Sequence, residues 1–416
     1  MRTPFAFLAL LATISLARAD FLIQPNDSIM IAGDSITEQK VYSVYLEDYF
    51  LMCQPTEGQV IAQSGWSGET AGGFLNRLDC DIAPFKPTVV TTCYGMNDGG
   101  YGPANPSVLT NYRNGQRAIV DWLKKHNVRV IVLGSPKCVD SDYFRSSPPK
   151  AIIYNQTLSQ LADIDKDIAQ KEGITYADVY GATLATMKKA KAAFGPKYNF
   201  GGGDGVHPGP NGHLVMAYAM LKALGCDGAI GTVTINLGLQ QADASPGQKI
   251  LSYKDGTAQI ESTRYPFCFD GDPNVGDQTN ANVTKFFPFN QDLNRYMLVV
   301  KGLTADKAKV TWGSNTKEFT KDQLEQGVNL AAEFMHNPFY DQFHKVDAAV
   351  QTVQSNETAI MRQYLFTLPA LKQIAPSTSA TLDTAAQQAV AADRDLFQKT
   401  QVQVIPVQHT ITVTPE

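Results

Sequence analysis

Short apolar runs alternate with longer segments of helical periodicity between residues 28 and 225, and this alternation constrains the fold more than any other feature. The runs read SIMIAG, GQVIAQ, PTVVTTCYG, VRVIVLGSP and GITYADV. Between the last two, apolar residues recur at near-helical spacing from Ile153 to Ile168, and Gly173 is placed to end the helix. Strands that alternate with helices form a parallel sheet covered on both faces. The sequence therefore predicts a three-layer α/β domain over residues 20–228.

The alternation of apolar runs with helical segments stops after Gly225. Residues 229–320 are rich in Thr, Val, Tyr and Phe and contain turn signals, which predicts a sandwich-like module of antiparallel β structure. Residues 321–400 have helical character. Residues 401–416 alternate apolar and polar side chains, so we expect a C-terminal strand that returns to the β-rich module and makes the helices an excursion from it. Pro406 indicates an edge strand or a bulge there.

Residues 1–19 have the pattern of a signal peptide. Arg2 supplies a positive start, FAFLALLATISL is an apolar stretch too short to span a bilayer, and Ala17-Arg18-Ala19 is a typical cleavage site. We therefore expect cleavage after Ala19 and a secreted or periplasmic protein. Since residue 20 is Asp rather than Cys and no later stretch is long and apolar enough to span a bilayer, no membrane anchor is expected. A net charge of −5 without Lys/Arg clusters argues against nucleic acid as a partner.

Neither the cysteines nor the acidic residues form a complete metal-binding pattern. The six cysteines lack C-x-x-C spacing and histidine neighbours, so no zinc site is expected, although an exported chain can pair them in disulfides. The stretch DGDPNVGD places Asp270, Asp272 and Asn274 at alternate positions, as in a calcium loop. Val275 stands where that loop has glycine, and Ala281 where it has glutamate. We interpret the stretch as a solvated turn and predict neither a metal nor a cofactor.

Four polar or glycine-rich stretches mark a candidate site. Three of them follow predicted strands and the fourth precedes the last helix of the α/β domain: GDS around Ser35, SGWSGET at 64–70, GMNDGG at 95–100 and GGGDGVHPGPNGH at 201–213. Open parallel sheets bind ligands at the carboxyl ends of their strands. We therefore expect the four stretches to converge on one edge of the sheet.

The residue types in these stretches suit nucleophilic catalysis on an ester. Ser35 offers a hydroxyl at a helix start, His207 is a suitable general base, and Asp204 is placed to hold the imidazole in the required tautomer. The backbone N–H groups of Ser35 and Gly68 and the side-chain amide of Asn97 are expected to form an oxyanion hole.

Several nearby residues have a structural interpretation instead. A lone serine after a strand is a good helix cap, so the catalytic interpretation of Ser35 depends on all four stretches together. Asp34 is expected to bind local backbone amides, Asp98 to brace the Asn97 loop, and His213 to be a buried structural histidine. The other histidines show no partner pattern and are expected to have surface or local roles: His126, His336, His344 and His409.

The motifs GDSI, SGET, GMND and DGVHP resemble the four blocks of the SGNH, or GDSL, hydrolase superfamily and occur in the same order. The resemblance covers residues 28–225. It implies a flavodoxin-like three-layer fold and acyl-ester hydrolysis, with Ser35 as nucleophile, Asp204 and His207 completing the triad, and Ser35, Gly68 and Asn97 donating to the oxyanion. Ile36, Glu69 and Met96 depart from the common residues of the family without removing a reacting group.

The resulting prediction is a secreted serine esterase that removes a small acyl group, acetyl in particular, from a carbohydrate or similar polyol. Trp66, Tyr94 and Tyr101 supply aromatic rings near the strand ends. The expected partner is a small-molecule or polysaccharide ester. A lipase or thioesterase, and an acyltransferase acting on an exported glycan with the same triad, are alternatives. A catalytically silent carbohydrate-binding or adhesion protein is a third.

Overall fold

The computed structural model describes residues 20–277 and 279–416. The predicted signal peptide, residues 1–19, lies outside the described residues. Within the described ranges, no helix has the length and apolar character needed to cross a membrane. All six cysteines are free thiols, and five of them are buried.

A five-stranded parallel sheet forms the core of the first domain, which confirms the predicted fold class. Its order is β2–β1–β3–β4–β5, as in flavodoxin-like folds. The strands are β1 (Ser28–Gly33), β2 (Val60–Gly65), β3 (Val89–Cys93), β4 (Val130–Gly134) and β5 (Thr175–Ala177). β1 is buried between β2 and β3, with Gly33 in register with Gly65 and with Cys93. The polar residues that follow these three strands therefore emerge side by side.

Helices connect and flank these strands. They are α1 (Ser35–Glu38), α2 (Tyr42–Asp48), α3 (Ala71–Leu75), α4 (Pro106–Lys125), α5 (Pro148–Glu172), α6 (Val179–Phe194) and α7 (Pro210–Ala223). Short π-helical turns lie at Tyr49–Cys53 and Leu78–Ile82, and 3₁₀ turns at Ala83–Phe85 and Phe144–Ser146. Gly173 ends α5 in the left-handed conformation that its sequence predicts.

The C-terminal β structure consists of two sheets, with orders β13–β10–β6–β7 and β12–β11–β14–β9–β8. The strands are β6 (Ala229–Asn236), β7 (Gln241–Ala244), β8 (Gln248–Lys254), β9 (Thr257–Ser262), β10 (Arg295–Lys301), β11 (Lys307–Trp312), β12 (Asn315–Thr320), β13 (Val328–Asn329) and β14 (Val407–Pro415). The expected antiparallel pairing holds for the other pairs of these strands, but β6 and β10 are parallel. The long connection between them makes a parallel return possible.

The C-terminal strand β14 occupies the middle of its sheet, between β9 and β11. The edge or bulge position inferred from Pro406 is therefore wrong: this proline precedes the strand and removes no ladder hydrogen bond. The strand alternates as its sequence does, and His409, Ile411 and Val413 are buried.

The two C-terminal sheets enclose an aromatic core around His409. Trp312 Nε1 donates to His409 Nδ1 at 3.1 Å, and Nε2 lies 2.9 Å from Ser262 Oγ and 3.1 Å from Tyr296 Oη. Because the indole N–H only donates, Nδ1 must accept, so the ring is neutral. Burial agrees with this, since it lowers the pKa of His409 to about 3. The expected surface or local role of His409 is therefore wrong.

The helical segment between β12 and β14 packs first against the C-terminal β structure and then against the first domain. It comprises α9 (Lys321–Gln326), α10 (Leu330–Glu333), α11 (Tyr340–Ala359), α12 (Leu368–Ile374) and α13 (Ser379–Gln401), with a π turn at Ile360–Tyr364 and 3₁₀ turns at Leu365–Thr367 and Pro376–Thr378. Two further short helices, α8 (Phe289–Asp292) and the 3₁₀ turn Asn282–Lys285, precede β10. α11 contacts both α2 and the edge strand β2.

Side chains of α11 complete the outer edge of β2. Glu357 Oε2 accepts the backbone N–H of Gln63 at 2.7 Å. The Gln63 side chain donates to Thr358 Oγ1 at 2.7 Å and to the carbonyl of Gln354 at 3.2 Å. Gln63, Gln354 and Glu357 are fully buried. A helix thus covers an edge strand that would otherwise present unpaired backbone groups to solvent.

Three buried carboxyl groups meet where α11 and α13 pack on the first domain. They belong to Glu47 of α2, Glu357 of α11 and Asp393 of α13. Gln354 Nε2 donates to Glu47 at 2.8 Å. Burial, followed by mutual repulsion among the three groups, raises the pKa of the Glu357 carboxyl well above its usual value. Burial raises the pKa of Glu47 and of Asp393 as well.

These raised pKa values make stability depend on pH. The folded state retains a proton on Glu357 that the unfolded chain releases near pH 4.5, so the free energy of unfolding falls as the pH rises above that value. One such group contributes a slope of at most about 1.4 kcal/mol per pH unit. Glu357→Gln keeps an acceptor for Gln63 and removes the titration, so we expect a shallower decline between pH 5 and pH 8.

Urea unfolding at several pH values measures this difference. Glu57→Gln, at an exposed loop position, is the matched control and should follow the wild-type profile. Parallel profiles for Glu357→Gln and the wild type would show that Glu357 is ionised in the folded protein.

Candidate active site

Ser35 begins α1 directly after β1. The side chain of Asp34 caps this helix by accepting the N–H of Ile36 at 2.9 Å, in agreement with its structural interpretation. Burial raises the pKa of Asp34 to about 7. Gly33 has no room for a side chain, because an added Cβ would lie 2.0 Å from Thr37 Oγ1. The sharp turn from strand to helix therefore leaves Ser35 at the carboxyl edge of the sheet.

Ser35, His207 and Asp204 form a continuous chain of hydrogen bonds. Ser35 Oγ lies 2.8 Å from His207 Nε2, and His207 Nδ1 lies 2.7 Å from Asp204 Oδ2. A carboxylate only accepts, so Nδ1 carries the proton and Nε2 is free to accept the serine hydroxyl. Burial opposes ionisation of Asp204, but hydrogen bonds from the backbone and ring of His207 outweigh it and lower the pKa of Asp204.

Asp204 also shapes the loop that presents His207. Its Oδ1 accepts the backbone N–H groups of Val206 at 2.8 Å and of His207 at 3.0 Å. Gly202 lies in the left-handed region at φ +75°, where an added Cβ would lie 1.8 Å from the carbonyl oxygen of His207. One carboxylate thus fixes both the backbone and the ring of the histidine.

Gly68 and Asn97 lie on neighbouring loops that are joined through Glu69. Asn97 Nδ2 donates to the backbone oxygen of Glu69 at 2.9 Å, and the hydroxyl of Tyr101 donates to Asn97 Oδ1 at 2.8 Å. These two partners determine the orientation of the amide, whose second N–H has no partner among the described residues. Gly68 has φ +75°, and open space surrounds the position of its absent Cβ. Tyr101, considered from sequence only as an aromatic surface, thus positions Asn97.

Two further side chains hold these loops. Asp98 accepts the backbone N–H of Ala71 at 2.9 Å and that of Gly95 at 3.1 Å, as expected of a brace for the Asn97 loop. Arg77 donates from Nε and Nη2 to the two carboxylate oxygens of Glu69, each at 2.6 Å. The sequence offered no signal for Arg77, which is an isolated arginine beyond the SGWSGET stretch.

The other histidine of this region, His213, is buried and structural, as its position in α7 indicated. The backbone N–H of Tyr42 points to Nδ1 at 3.3 Å, and Nε2 lies 3.2 Å from Gln39 Oε1. Burial lowers the pKa of His213 to about 3, so the ring is neutral.

The helical segment reaches the edge of this site. Arg362 forms an ion pair with Glu38 and lies over the Trp66 ring at 4.6 Å. The ring of Phe366 lies 4.8 Å from that of Trp66. Two side chains of the helical segment thus contact residues that follow β1 and β2. The sequence around Arg362 and Phe366 shows only helical periodicity, so it did not indicate that these two residues contact Trp66.

The pattern of the GDSL-like Lipase/Acylhydrolase family matches residues 31–215, which contain all four stretches of the site. Residues 31–215 form a domain of this family. The protein is accordingly an ester hydrolase of the GDSL-like type.

Similar proteins cover either the GDSL-like domain or nearly the whole chain. An acetylxylan esterase from Geobacillus stearothermophilus is 24% identical over 227 residues, which are 49% of this chain and 96% of that protein. Among solved structures, a gut microbial diltiazem-metabolizing enzyme aligns with a TM-score of 0.73 at 21% identity and covers 95% of this chain and 98% of that one. The C-terminal part of the GDSL-like protein therefore belongs to a fold that recurs together with the hydrolase domain.

The contacts of Asn97 generate a prediction for catalysis. Asn97→Ala is expected to lower kcat roughly 10²-fold with a smaller effect on KM, because an oxyanion donor acts when negative charge develops. Tyr101→Phe keeps the ring but loses the hydrogen bond to Asn97 Oδ1, and we expect a loss of kcat of roughly three- to tenfold.

Steady-state hydrolysis of p-nitrophenyl acetate measures both effects. Tyr180→Phe is the control, since its hydroxyl also donates one hydrogen bond, to the carbonyl of Asn155. Changes confined to KM would show that Asn97 and Tyr101 only position the substrate.

Proposed function

We propose that the protein is a secreted serine esterase that hydrolyses short-chain acyl esters, acetyl esters of carbohydrates in particular. The observation that carries this proposal is the hydrogen-bonded chain from Ser35 through His207 to Asp204 at the carboxyl edge of the sheet. Its distances allow proton transfer between the serine hydroxyl and the imidazole without rearrangement.

In the first half of the reaction, Ser35 Oγ attacks the carbonyl carbon of the ester while its proton moves to His207 Nε2. Asp204, whose pKa is lowered, remains ionised and stabilises the imidazolium. The carbonyl oxygen becomes an oxyanion that accepts hydrogen bonds from the N–H groups of Ser35 and Gly68 and from Asn97 Nδ2. When the tetrahedral intermediate collapses, the alcohol leaves with the proton from His207, and the acyl group remains on Ser35.

In the second half, a water molecule replaces the alcohol. His207 takes a proton from this water as the oxygen attacks the acyl-serine, and the same three donors stabilise the second oxyanion. Collapse releases the carboxylic acid and returns the proton to Ser35 Oγ. The cycle consumes one ester and one water and requires no metal or cofactor.

One similarity supports a small acyl group on a carbohydrate. The acetylxylan esterase from Geobacillus stearothermophilus aligns with 49% of this chain, and its name specifies acetyl esters of a polysaccharide. The N-terminal pattern of residues 1–19 supports export.

Replacement of the nucleophile tests the mechanism. Ser35→Ala is expected to lower kcat on p-nitrophenyl acetate by at least about 10³-fold, because the covalent step is lost. Ser107→Ala, at an exposed position in the first turn of α4, is the matched control and should retain wild-type turnover. Circular dichroism and the unfolding midpoint establish that both variants are folded. Wild-type turnover by folded Ser35→Ala protein would exclude the serine mechanism.

A panel of esters tests the substrate class. We expect acetate release from acetylated xylan and xylo-oligosaccharides, with kcat/KM falling as the acyl chain lengthens from acetyl to decanoyl. A preference for decanoyl esters would indicate a lipase, and a preference for acyl thioesters a thioesterase. Acetyl transfer to an added oligosaccharide in place of acetate release would indicate a transferase.

A further inference from the structure

Three side chains form a wall on the β2 side of Ser35, and two of them come from outside the GDSL-like domain. The aromatic wall, as we call it, consists of Trp66, which follows β2, and of Arg362 and Phe366, which follow α11. The Arg362 guanidinium lies 4.6 Å from the centroid of the Trp66 ring, and the centroid of the Phe366 ring lies 4.8 Å from it, so both side chains contact Trp66.

Backbone and ion-pair contacts tie the aromatic wall to the nucleophile. The N–H of Trp66 donates to the carbonyl of Gly33 at 2.9 Å, two residues before Ser35. Glu38, the partner of Arg362, is on the same turn of α1 as Ser35. Gly68 lies two residues beyond Trp66 on the same loop. The aromatic wall is therefore connected to the turn that carries the serine and to the loop that carries one proposed oxyanion donor.

The chemistry of the aromatic wall is that of a surface for a hydroxylated ring. Phe366 is 43% exposed although its ring lies against that of Trp66. Arg362 uses Nη1 for Glu38, and its other N–H groups have no acceptor among the described residues. An exposed aromatic face beside unpaired guanidinium donors offers both apolar contact and hydrogen bonds.

We infer that the aromatic wall is the subsite for the alcohol part of the substrate, with a sugar ring packed on Phe366 and its hydroxyls accepting hydrogen bonds from Arg362. This inference rests on the proposed function, of which it names the specificity-determining part. A fatty acyl chain would bury the Phe366 ring but leave the guanidinium donors unpaired and desolvated, which costs free energy. A sugar ring satisfies both groups.

The contacts behind the aromatic wall hold it in place. The π turn that carries Arg362 continues directly from α11, whose Glu357 and Thr358 bind Gln63 of β2. The subsite is therefore built on a helix fixed to the catalytic sheet rather than on a free loop, which favours a defined ring orientation.

The test compares two acetyl esters that differ only in the alcohol. In the full-length protein, kcat/KM is measured for a methyl xyloside carrying one acetyl group and for ethyl acetate, and their ratio is taken. We expect Phe366→Ala to lower this ratio at least about tenfold, which corresponds to about 1.4 kcal/mol. Phe366→Tyr, which keeps the ring, should restore it. Leu371→Ala, an exposed apolar position on α12, is the matched control.

Two results would overturn the inference. An equal loss on both esters in Phe366→Ala protein would mean that the ring only supports the site. A loss that follows the length of the acyl group, measured with ethyl acetate and ethyl butyrate, would assign the wall to the acyl chain.

Binding of xylotriose, followed by calorimetry, separates this inference from the proposed function. If the wild type hydrolyses neither acetyl ester, the proposed function fails. Even then, a loss of xylotriose affinity of at least about tenfold in Phe366→Ala protein supports the subsite. Equal affinity in both proteins, or no binding by either, contradicts it.

Discussion

Gln63 joins the edge strand of the catalytic sheet to the C-terminal helical segment. Its backbone N–H is bound by Glu357, its side-chain amide reaches Gln354 and Thr358 of the same helix, and its Oε1 accepts the N–H of Gly65 at 2.9 Å. Because Gly65 begins the loop that carries Trp66 and Gly68, this one side chain connects the helical segment to the candidate oxyanion hole. A buried amide with every partner satisfied specifies such an arrangement strongly.

The carboxyl groups of Asp204 and Glu357 lie in contrasting environments, which suit them to different roles. Asp204 is 55% exposed and accepts three hydrogen bonds, which stabilise its charge and lower its pKa. Glu357 has the opposite environment, since it is buried near two other acids and its pKa is raised. The charge of Asp204 can stabilise an imidazolium, whereas the surroundings of Glu357 disfavour its ionisation.

The sequence allowed the parallel sheet and the position of the four stretches to be predicted, because alternating strands and helices leave few topologies and parallel strands end at one edge. The partner surface of the helical segment was not predictable in this way. An amphipathic helix such as α11 shows that one face is buried, but its periodicity is the same whether that face covers β14 or β2. The hydrogen bond from Tyr101 to Asn97 and the contacts of Arg362 and Phe366 with Trp66 were not predictable either, because a side chain's partners cannot be read from its own sequence position. His409 was misjudged because an alternating strand does not reveal whether a polar side chain is enclosed by a second sheet.

Because α11 covers the edge strand β2, a fragment of the catalytic region that lacks α11 leaves this strand uncovered. A fragment ending near residue 228 would contain every residue of the hydrogen-bonded chain, but its edge strand would lose the partner of Gln63 and present a free backbone ladder. Exposed strand edges pair with one another between molecules. We therefore expect such a fragment to associate in recombinant expression more readily than the full chain. The C-terminal helices, rather than the catalytic residues, determine how short a fragment can be without exposing this strand edge.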